Sequence, residues 1–295
     1  MGDFRLKVFQ SVAKNLSFTK ASQELFVSQP AITKHIQELE ATYQTRLFDR
    51  QGSKISLTES GRLLLEHCER ILEDYKRLEY EMHLLHNEYI GELKLGASTT
   101  IAQYVLPPLL GSFIGKFPQV NLSLLNGNSR EIEAALQEHR IDLGLVEGVF
   151  RLPNLKYTTF LEDELVAVVH SKSRLQLPEE ITPQDLPAIP LVLRERGSGT
   201  LDVIERSLQK HGVKLSSLHV LMYLGSTESI KLFLENSDCM GIVSIRSICK
   251  ELAAGTFRVV EIKDMPMLRD FCFVQLQGQE GGLSQAFMNY MFMSR

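Results

Sequence analysis

Hydroxyl, amide and guanidinium groups recur in the C-terminal two-thirds of the chain, in short stretches that also contain glycine. The candidate ligand-binding residues there are Ser98, Thr99, Thr100, Asn128, Ser129, Glu147, Arg196, Ser198, Gly199, Thr200 and Thr227. Hydroxyls and free backbone N–H groups at a helix start bind anions, and a guanidinium adds positive charge. The set therefore predicts a site for a small anion or carboxylate. Helix capping is the alternative for any single stretch, because serine and threonine before a helix commonly only cap it.

Two arginines stand in the stretch richest in glycine, at positions 194–200. Arg194 and Arg196 alternate along an extended segment, and we expect their side chains to point in opposite directions. Of the two, we predict that Arg196 faces the ligand.

Catalytic and metal-binding patterns find little support. Ser198 lacks the flanking pattern of a nucleophile elbow, the eight histidines show no HExxH or other ligand spacing, and neither a Walker A nor a GxGxxG motif occurs. The four cysteines include no CxxC pair, so neither a zinc site nor a disulfide framework is predicted. We expect no enzyme, no metal and no cofactor beyond a small-molecule effector.

Alternating strand and helix patterns place the polar stretches at strand ends. A first lobe is predicted from strands at 92–97, 121–125 and 141–146, helices at 101–117 and 129–139, a return strand at 271–276 and a helix at 283–293. A second lobe is predicted from strands at 163–169, 191–193, 219–223 and 241–243 and helices at 200–211 and 227–235. This alternation is typical of α/β units on a parallel sheet, whose ligands lie beyond the carboxyl ends of the strands.

The first sixty residues show three helical patterns, with Ser17 and Ser28 placed to cap the second and third. The expected buried residues are Leu6, Phe9, Val12, Ala13 and Leu16, then Phe18, Ala21 and Leu25, then Ile32, Ile36, Leu39 and Tyr43. Helical geometry puts Pro30, Lys34 and Gln37 on the opposite face of the third helix, with Thr33 beside them and Gln29 at the tip. Small, hydrogen-bonding and cationic side chains of this kind suit a recognition helix in the major groove.

A basic hairpin is predicted after the third helix. Gln51-Gly52-Ser53 forms a plausible turn between two short strands, and Arg50 and Lys54 flank it. Such a hairpin is a wing that contacts phosphates or the minor groove. On these patterns alone a helical domain with a solvated polar face remains the alternative to DNA binding.

Three motifs of this region resemble the winged helix-turn-helix of LysR-type transcriptional regulators. They are Phe18-Thr19-Lys20-Ala21, Ser28-Gln29-Pro30-Ala31-Ile32-Thr33-Lys34 and Leu57-Thr58-Glu59-Ser60-Gly61. The resemblance implies contacts to double-stranded DNA from Ser28, Gln29, Pro30, Thr33, Lys34 and Gln37, with Arg50 and Lys54 on the wing. It also implies a two-lobed effector domain like a periplasmic binding protein. The stretch at 194–200 is similar to that of members that sense metabolites or inorganic anions in sulfur and carbon assimilation.

A heptad pattern without proline follows the wing. Its apolar positions, at alternating steps of four and three, are Leu64, Cys68, Ile71, Tyr75, Leu78, Met82 and Leu85. A single long helix cannot bury such a stripe, so we predict pairing with a second copy. Packing against its own domain is the alternative. The resemblance also implies a homodimer or tetramer on an inverted-repeat operator, with RNA polymerase as a further partner if the regulator activates.

The overall composition agrees with a chain of folded domains. Hydrophobic residues make up 44% and charged residues 23% of the 295-residue chain, and no apolar run approaches the roughly 20 residues that span a bilayer. The N-terminus lacks a signal-peptide pattern, so we expect a cytoplasmic protein without a membrane partner. The predicted domains are a winged helix-turn-helix at 1–57, a linker helix at 58–88 and an effector domain at 91–295, with lobe I at 91–162 and 267–295 and lobe II at 163–266. A small-solute binding protein without a regulatory role is the alternative function.

Overall fold

The computed structural model describes residues 3–51, 54–85, 89–278 and 281–294, and the chain forms two compact units, Met1–Glu88 and Tyr89–Arg295. The elements of the first unit are α1 Phe4–Asn15, α2 Phe18–Glu24, α3 Gln29–Tyr43, β1 Phe48–Gln51, β2 Lys54–Leu57 and α4 Glu59–Leu85. The two strands pair in antiparallel fashion, with Phe48 opposite Leu57. This order confirms the predicted winged helix-turn-helix.

Serine side chains set the start of α2 and α3, as predicted. The Ser17 hydroxyl accepts a hydrogen bond from the Lys20 N–H at 3.2 Å, and the Ser28 hydroxyl accepts one from the Ala31 N–H at 3.4 Å. Pro30 lies in the first turn of α3, where a helix needs no N–H donor. The third helix therefore begins where the sequence placed it.

Two apolar residues of the predicted core are exposed at helix ends. Leu16 is 48% and Tyr43 is 53% exposed. Leu16 itself, and Gln44 after Tyr43, adopt left-handed backbone conformations that end α1 and α3 and turn the chain away from the core. Val8, which the periodicity did not include, is instead fully buried.

The linker helix α4 packs its N-terminal part into the core of its own unit. Cys68 is fully buried, and its thiol donates to the Leu6 carbonyl oxygen at 3.2 Å. Leu64 also packs against this core, whereas Ile71, Leu78 and Met82 are exposed. The full burial of Cys68 therefore corrects its place in the predicted seam, as the alternative held, whereas Leu64 is half-buried and its contact with a second copy stays a prediction.

The second unit is built on one sheet of ten strands. Its strands are β3 Gly91–Ser98, β4 Val120–Gly127, β5 Leu143–Glu147, β6 Leu155–His170, β7 Glu180–Ile181, β8 Leu191–Arg194, β9 Val220–Leu224, β10 Met240–Ser244, β11 Phe257–Ile262 and β12 Met267–Leu276. The order along the sheet is β4-β3-β5-β12-β6-β10-β8-β9, and β11 pairs with both β6 and β7. The helices are α5 Thr99–Tyr104, α6 Leu106–Lys116, α7 Ser129–Gln137, α8 Gly199–Lys210, α9 Thr227–Glu235, α10 Cys249–Ala253 and α11 Gly282–Met293.

Two long strands join the two lobes of this unit. The first part of β6 pairs with β12, and its last residues pair with β10 and β11. Met267 at the start of β12 packs in the core of lobe II, whereas Phe271 and Phe273 pack in the core of lobe I. The predicted two-lobed α/β fold is therefore confirmed, with Arg269 and Asp163 opposite each other where the strands change lobes.

Several elements differ from the predicted ones. The helix expected at 101–117 is two helices that meet at Val105, because Pro107 and Pro108 lack the N–H donors that a continuous helix needs. The strand expected at 163–169 starts eight residues earlier, at Leu155, and β11 had no prediction. Within the described residues, no helix is long and apolar enough to cross a membrane.

Candidate functional site

The predicted polar stretches meet where the two lobes face each other. Ser98 ends β3, Glu147 ends β5 and Arg194 ends β8. Helices α5, α7, α8 and α9 begin beside them. The strand-end rule therefore placed these strand ends and helix starts at the boundary between the two lobes.

Capping accounts for two of the candidates. The Asn128 side chain accepts from the Glu131 N–H at 3.0 Å, and the Ser198 hydroxyl accepts from the Leu201 N–H at 3.4 Å. Thr227 is buried in the first turn of α9. The side chains of Asn128 and Ser198 therefore cap helices, as the capping alternative predicts for a single stretch.

Glu147 binds two other candidates. The Ser98 hydroxyl donates to the Glu147 carboxylate, and the Ser129 hydroxyl donates to the Glu147 carbonyl oxygen at 2.7 Å. All three residues are buried. They therefore fix the ends of β3 and β5 and the start of α7 relative to one another.

A buried ion network continues from Glu147 across the cleft floor. Arg269 Nη1 lies 3.5 Å from a Glu147 carboxylate oxygen and donates to the Thr200 hydroxyl at 2.8 Å. Arg269 Nε donates to Asp163 at 2.8 Å, and the Ser244 hydroxyl donates to the same carboxylate at 2.7 Å. The network joins both lobes through the crossing strands. Sequence reasoning missed Arg269 and Asp163, because both strands carry other charged residues beside them, Asp270 on β12 and Glu162 and Glu164 on β6.

The lobes touch closely at two glycines. The Arg130 N–H at the start of α7 donates to the Gly197 carbonyl oxygen at 3.3 Å. Gly197 has a φ of 92°, which favours glycine, and Gly199 lies against the Glu147 backbone. The glycine-rich stretch therefore serves the contact between the lobes.

The two arginines of the glycine-rich stretch lie in different environments. Arg194 is 1% exposed, and its Nη2 lies 3.4 Å from the Thr99 hydroxyl, whereas Arg196 is exposed. Strand β8 ends at Arg194, so that side chain still lies in the sheet, and Arg196 stands in the turn that follows. Residues two apart on a regular strand share a face, so alternation could not have separated them. The side chains of Arg194 and Arg196 lie in different surroundings because the strand ends between them.

Three buried polar atoms on α5 and β8 lack a hydrogen-bonding partner among the described residues. They are Thr100 Oγ1, Gln103 Oε1 and Arg194 Nη1. Leaving such a group unpaired costs about 1–3 kcal/mol, more for a charged group. A bound ligand that paired with them would recover this free energy.

Two cavities lie on either side of the lobe contact. The first, of about 310 Å³, is lined by residues that include Thr99, Gln103, Asn126, Asn128, Glu195 and Ser226. The second, of about 370 Å³, is lined by residues that include Ser129, Arg130, Glu133, Glu147, Phe150 and Asp202. Burial raises the pKa of both Glu133 and Asp202. The first cavity adjoins Thr99, whose hydroxyl Arg194 approaches, and suits a small polar ligand.

A second link between the lobes joins α5 and α9. The Tyr104 hydroxyl on α5 donates to the Glu228 carboxylate on α9, and burial raises the pKa of Tyr104. Lys231 Nζ lies 2.8 Å from Glu228 and 2.6 Å from Glu251. Burial alone would lower the pKa of Lys231, but these two bonds outweigh it and raise the pKa. One ammonium group therefore binds two carboxylates at once.

The polar face of α3 is open to solvent. Ser28, Gln29, Pro30, Lys34 and Gln37 are exposed and Thr33 is half-buried. Thr33 donates to the Gln29 carbonyl oxygen at 3.1 Å, so its hydroxyl is partly engaged. Arg50 and Lys54 lie on β1 and β2, but their side chains are outside the described part of the chain, as are the turn residues Gly52 and Ser53 and the Leu85 side chain.

Comparison with known proteins agrees with this arrangement. The family described as "Bacterial regulatory helix-turn-helix protein, lysR family" matches residues 4–62, and the "LysR substrate binding domain" matches residues 86–292. The transcriptional regulator CysL of Bacillus subtilis is 29% identical over 91% of this chain and 89% of its own length. A probable RuBisCO transcriptional regulator of Cyanidioschyzon merolae is 32% identical over 90% of this chain and 88% of its own length.

A solved structure is similar to the second unit. The regulatory domain of CcmR from Synechocystis PCC6803, in complex with 2-PG, covers 69% of this chain and 97% of that domain, with 28% identity and a TM-score of 0.62. A helix-turn-helix unit followed by a two-lobed ligand-binding unit defines a class of ligand-controlled transcriptional regulators. Within that class, the chain belongs to the LysR family. It is a transcriptional regulator with an effector-binding domain, and the match at residues 4–62 excludes a solute-binding protein without a regulatory role.

Proposed function

We propose that the cleft between the lobes binds a small anionic effector, and that this binding changes how the regulator holds its operator. The observation that carries the proposal is Arg194, whose guanidinium is 1% exposed and whose Nη1 has no partner among the described residues, although Glu195 pairs with Nε and Nη2. A buried positive charge with a free donor attracts a carboxylate or phosphate strongly, because little water competes. The ligand class follows from that charge.

Neighbouring groups would orient the ligand. Thr100 Oγ1 is buried and unpaired among the described residues, and Thr100 lies in the first turn of the helix that follows β3. Gln103 and Asn128 line the first cavity with amide groups. A dianion of a few carbon atoms fits a space of about 310 Å³. The 2-PG bound to the related CcmR domain is an anion of this kind.

The experiment is isothermal titration of the full chain with 2-phosphoglycolate and with inorganic phosphate. We expect binding by the wild type and a loss of about tenfold or more in Thr100→Ala, since a hydrogen bond to a charged group contributes about 1.5–3 kcal/mol. Thr158→Ala on β6 is the matched control and should bind normally. Equal affinity of wild type and Thr100→Ala for both anions would contradict the assignment.

The DNA contacts are proposed from the open face of α3. Gln29, Thr33 and Gln37 would contact base edges, Lys34 would contact bases and the phosphate beside them, and Ser28 and Pro30 would position the helix start against the backbone. Arg50 and Lys54 on the wing would contact phosphates. The exposure of Gln29, Lys34 and Gln37 on α3 and the family match at residues 4–62 support this assignment.

Self-association is proposed through the exposed half of α4. Ile71, Leu78 and Met82 present apolar surface at heptad spacing, and Tyr75 lies between them half-buried. A pair of chains would bring two reading heads to an inverted repeat, as a dimer or within a tetramer. RNA polymerase would be the partner of an activator, the location would be the cytoplasm, and the cleft would carry out no reaction.

A further inference from the structure

We infer that Glu195 is a built-in competitor of the effector: its carboxylate occupies Arg194, and the incoming anion must displace it. This inference rests on the proposed function of the cleft and adds how that site is regulated. It names one residue whose charge sets the affinity.

Glu195 binds the edge of the Arg194 guanidinium that can donate to two oxygens at once. Arg194 Nε donates to one carboxylate oxygen at 2.9 Å, and Nη2 donates to the other at 3.0 Å. This fork geometry is the one that guanidinium groups use for external carboxylates and phosphates. Only Nη1, of the three nitrogens, is left without a partner among the described residues.

Glu195 also stands between Arg194 and the open space. The described residues that line the 310 Å³ cavity include Glu195 but not Arg194. Glu195 is 27% exposed at its side chain, whereas Arg194 is 1% exposed. The cavity therefore presents a carboxylate to a ligand, with the positive charge behind it.

The other carboxylate on this cavity has a different task. Glu131 accepts from the Asn128 N–H at 2.8 Å as part of the capping box of α7. Glu195 has no such role in a helix, and its partial exposure leaves it room to turn towards solvent. It is therefore the carboxylate that can give way.

The Arg194–Glu195 pair therefore selects among ligands by their charge and by the number of oxygens they offer. A neutral ligand leaves the Arg194–Glu195 pair intact, and an anion with a single oxygen replaces only one of its two bonds. A carboxylate or phosphate offers two oxygens of one group and replaces both, provided that it overcomes repulsion from Glu195. Removing that charge should strengthen the binding of anions.

The test is isothermal titration of the full chain with inorganic phosphate at constant ionic strength. We expect Glu195→Gln to bind phosphate about tenfold or more tightly than the wild type, since a like charge within a few ångströms is removed. Glu195→Asp keeps the charge and should stay within about threefold of the wild type. Glu138→Gln is the matched control, because Glu138 pairs with Arg140 in the same local way, at 2.7 Å, on exposed surface.

The outcomes distinguish a failure of this inference from a failure of the proposed anion site. Phosphate binding by the wild type that Glu195→Gln leaves unchanged or weakens would overturn the competitor role and keep the anion site. A gain in Glu195→Asp equal to that in Glu195→Gln would overturn the role of the charge. Failure of both wild type and Glu195→Gln to bind phosphate, with unfolding midpoints that show both folded, would overturn the competitor and the anion site together.

Discussion

Gly199 lies against the carbonyl oxygen of Glu147 so closely that a Cβ at position 199 would stand 1.9 Å from it. Gly199 begins α8 in lobe II and Glu147 ends β5 in lobe I. Side chains do not approach a backbone oxygen to that distance. The two lobes can meet here only because residue 199 has no side chain.

We expect Gly199→Ala to force the lobes apart or strain the start of α8. Overpacking of this kind destabilises proteins by about 1–3 kcal/mol, and here the obstacle is backbone that cannot rotate away. Thermal unfolding of the full chain should show a lower midpoint. Gly225→Ala, where an added Cβ meets nothing within 4 Å, is the control and should unfold like the wild type. Equal midpoints for the two variants would show that the lobes do not need this contact.

Lys34→Ala should weaken operator binding and flatten its dependence on salt. Each phosphate contact that is lost reduces the slope of log K against log salt by about 1. Fragments recovered from genomic DNA with the purified protein would serve as the probe, in titrations at several salt concentrations. Lys7→Ala changes an exposed lysine on α1 and should leave affinity and slope unaltered. A Lys34 variant with the wild-type slope would remove this residue from the interface.

Cys68 should resist alkylation while Cys249 reacts. Burial raises the pKa of Cys68 to about 12, so at pH 8 about one thiol in ten thousand is ionised even when reagent has access. Cys249 is exposed. Treatment of the folded chain with iodoacetamide, followed by peptide mass spectrometry, should label Cys249 first, and a rise to pH 9 should still leave Cys68 unlabelled. Early labelling of Cys68 would show that α4 separates readily from α1.

The sequence predicted local features well because their causes are local. Ser17 and Ser28 cap helices through bonds to residues three positions ahead, and Pro30 fits a first helical turn wherever the helix lies. The strand-end rule likewise brought Ser98 and Glu147 together, because neighbouring parallel strands end at the same edge. These predictions needed the pattern and no knowledge of distant contacts.

The missed features depend on partners far along the chain. Arg269 pairs with Asp163, 106 residues earlier, and no periodicity links the two. Cys68 fits a heptad as well as a core, and only its bond to Leu6 decides between them. Arg194 is buried and Arg196 is exposed because β8 ends between them, and sequence patterns place strand ends least securely.

Polar replacement of two exposed seam residues should disrupt self-association. Leu78 and Met82 are each 53% exposed, and one turn separates them on α4. We expect Leu78→Asp with Met82→Asp to shift the full chain towards monomer in light scattering after size exclusion, because unpaired carboxylates in an apolar seam are costly. Leu63→Asp is the control, since Leu63 is 59% exposed on the same helix but outside the seam. If only Leu63→Asp lowered the mass, the interface would lie on the other face of α4.

Asp202 should destabilise the folded chain near neutral pH. It lines the second cavity, its side chain is 13% exposed, and its nearest cation, Arg130, lies 4.0 Å away. Burial therefore raises the pKa of Asp202 above its usual value. A carboxyl with a higher pKa in the folded state binds its proton more tightly there. The loss of stability caused by the buried carboxylate is therefore fully present above the folded pKa. It is relieved as pH falls towards the unfolded value of about 3.9.

Asp202→Asn should accordingly raise the unfolding midpoint at pH 7 and lose most of that advantage near pH 4. Asp202→Asn and the wild type should be compared by chemical unfolding between pH 4 and pH 7, with linear extrapolation at each pH. Asp185→Asn is the control of opposite sign. Bonds from the Thr182 hydroxyl and N–H lower the pKa of Asp185, so its replacement should destabilise at pH 7 and matter less in acid. A constant difference between Asp202→Asn and wild type from pH 4 to pH 7 would mean that packing, rather than the buried charge, sets the effect.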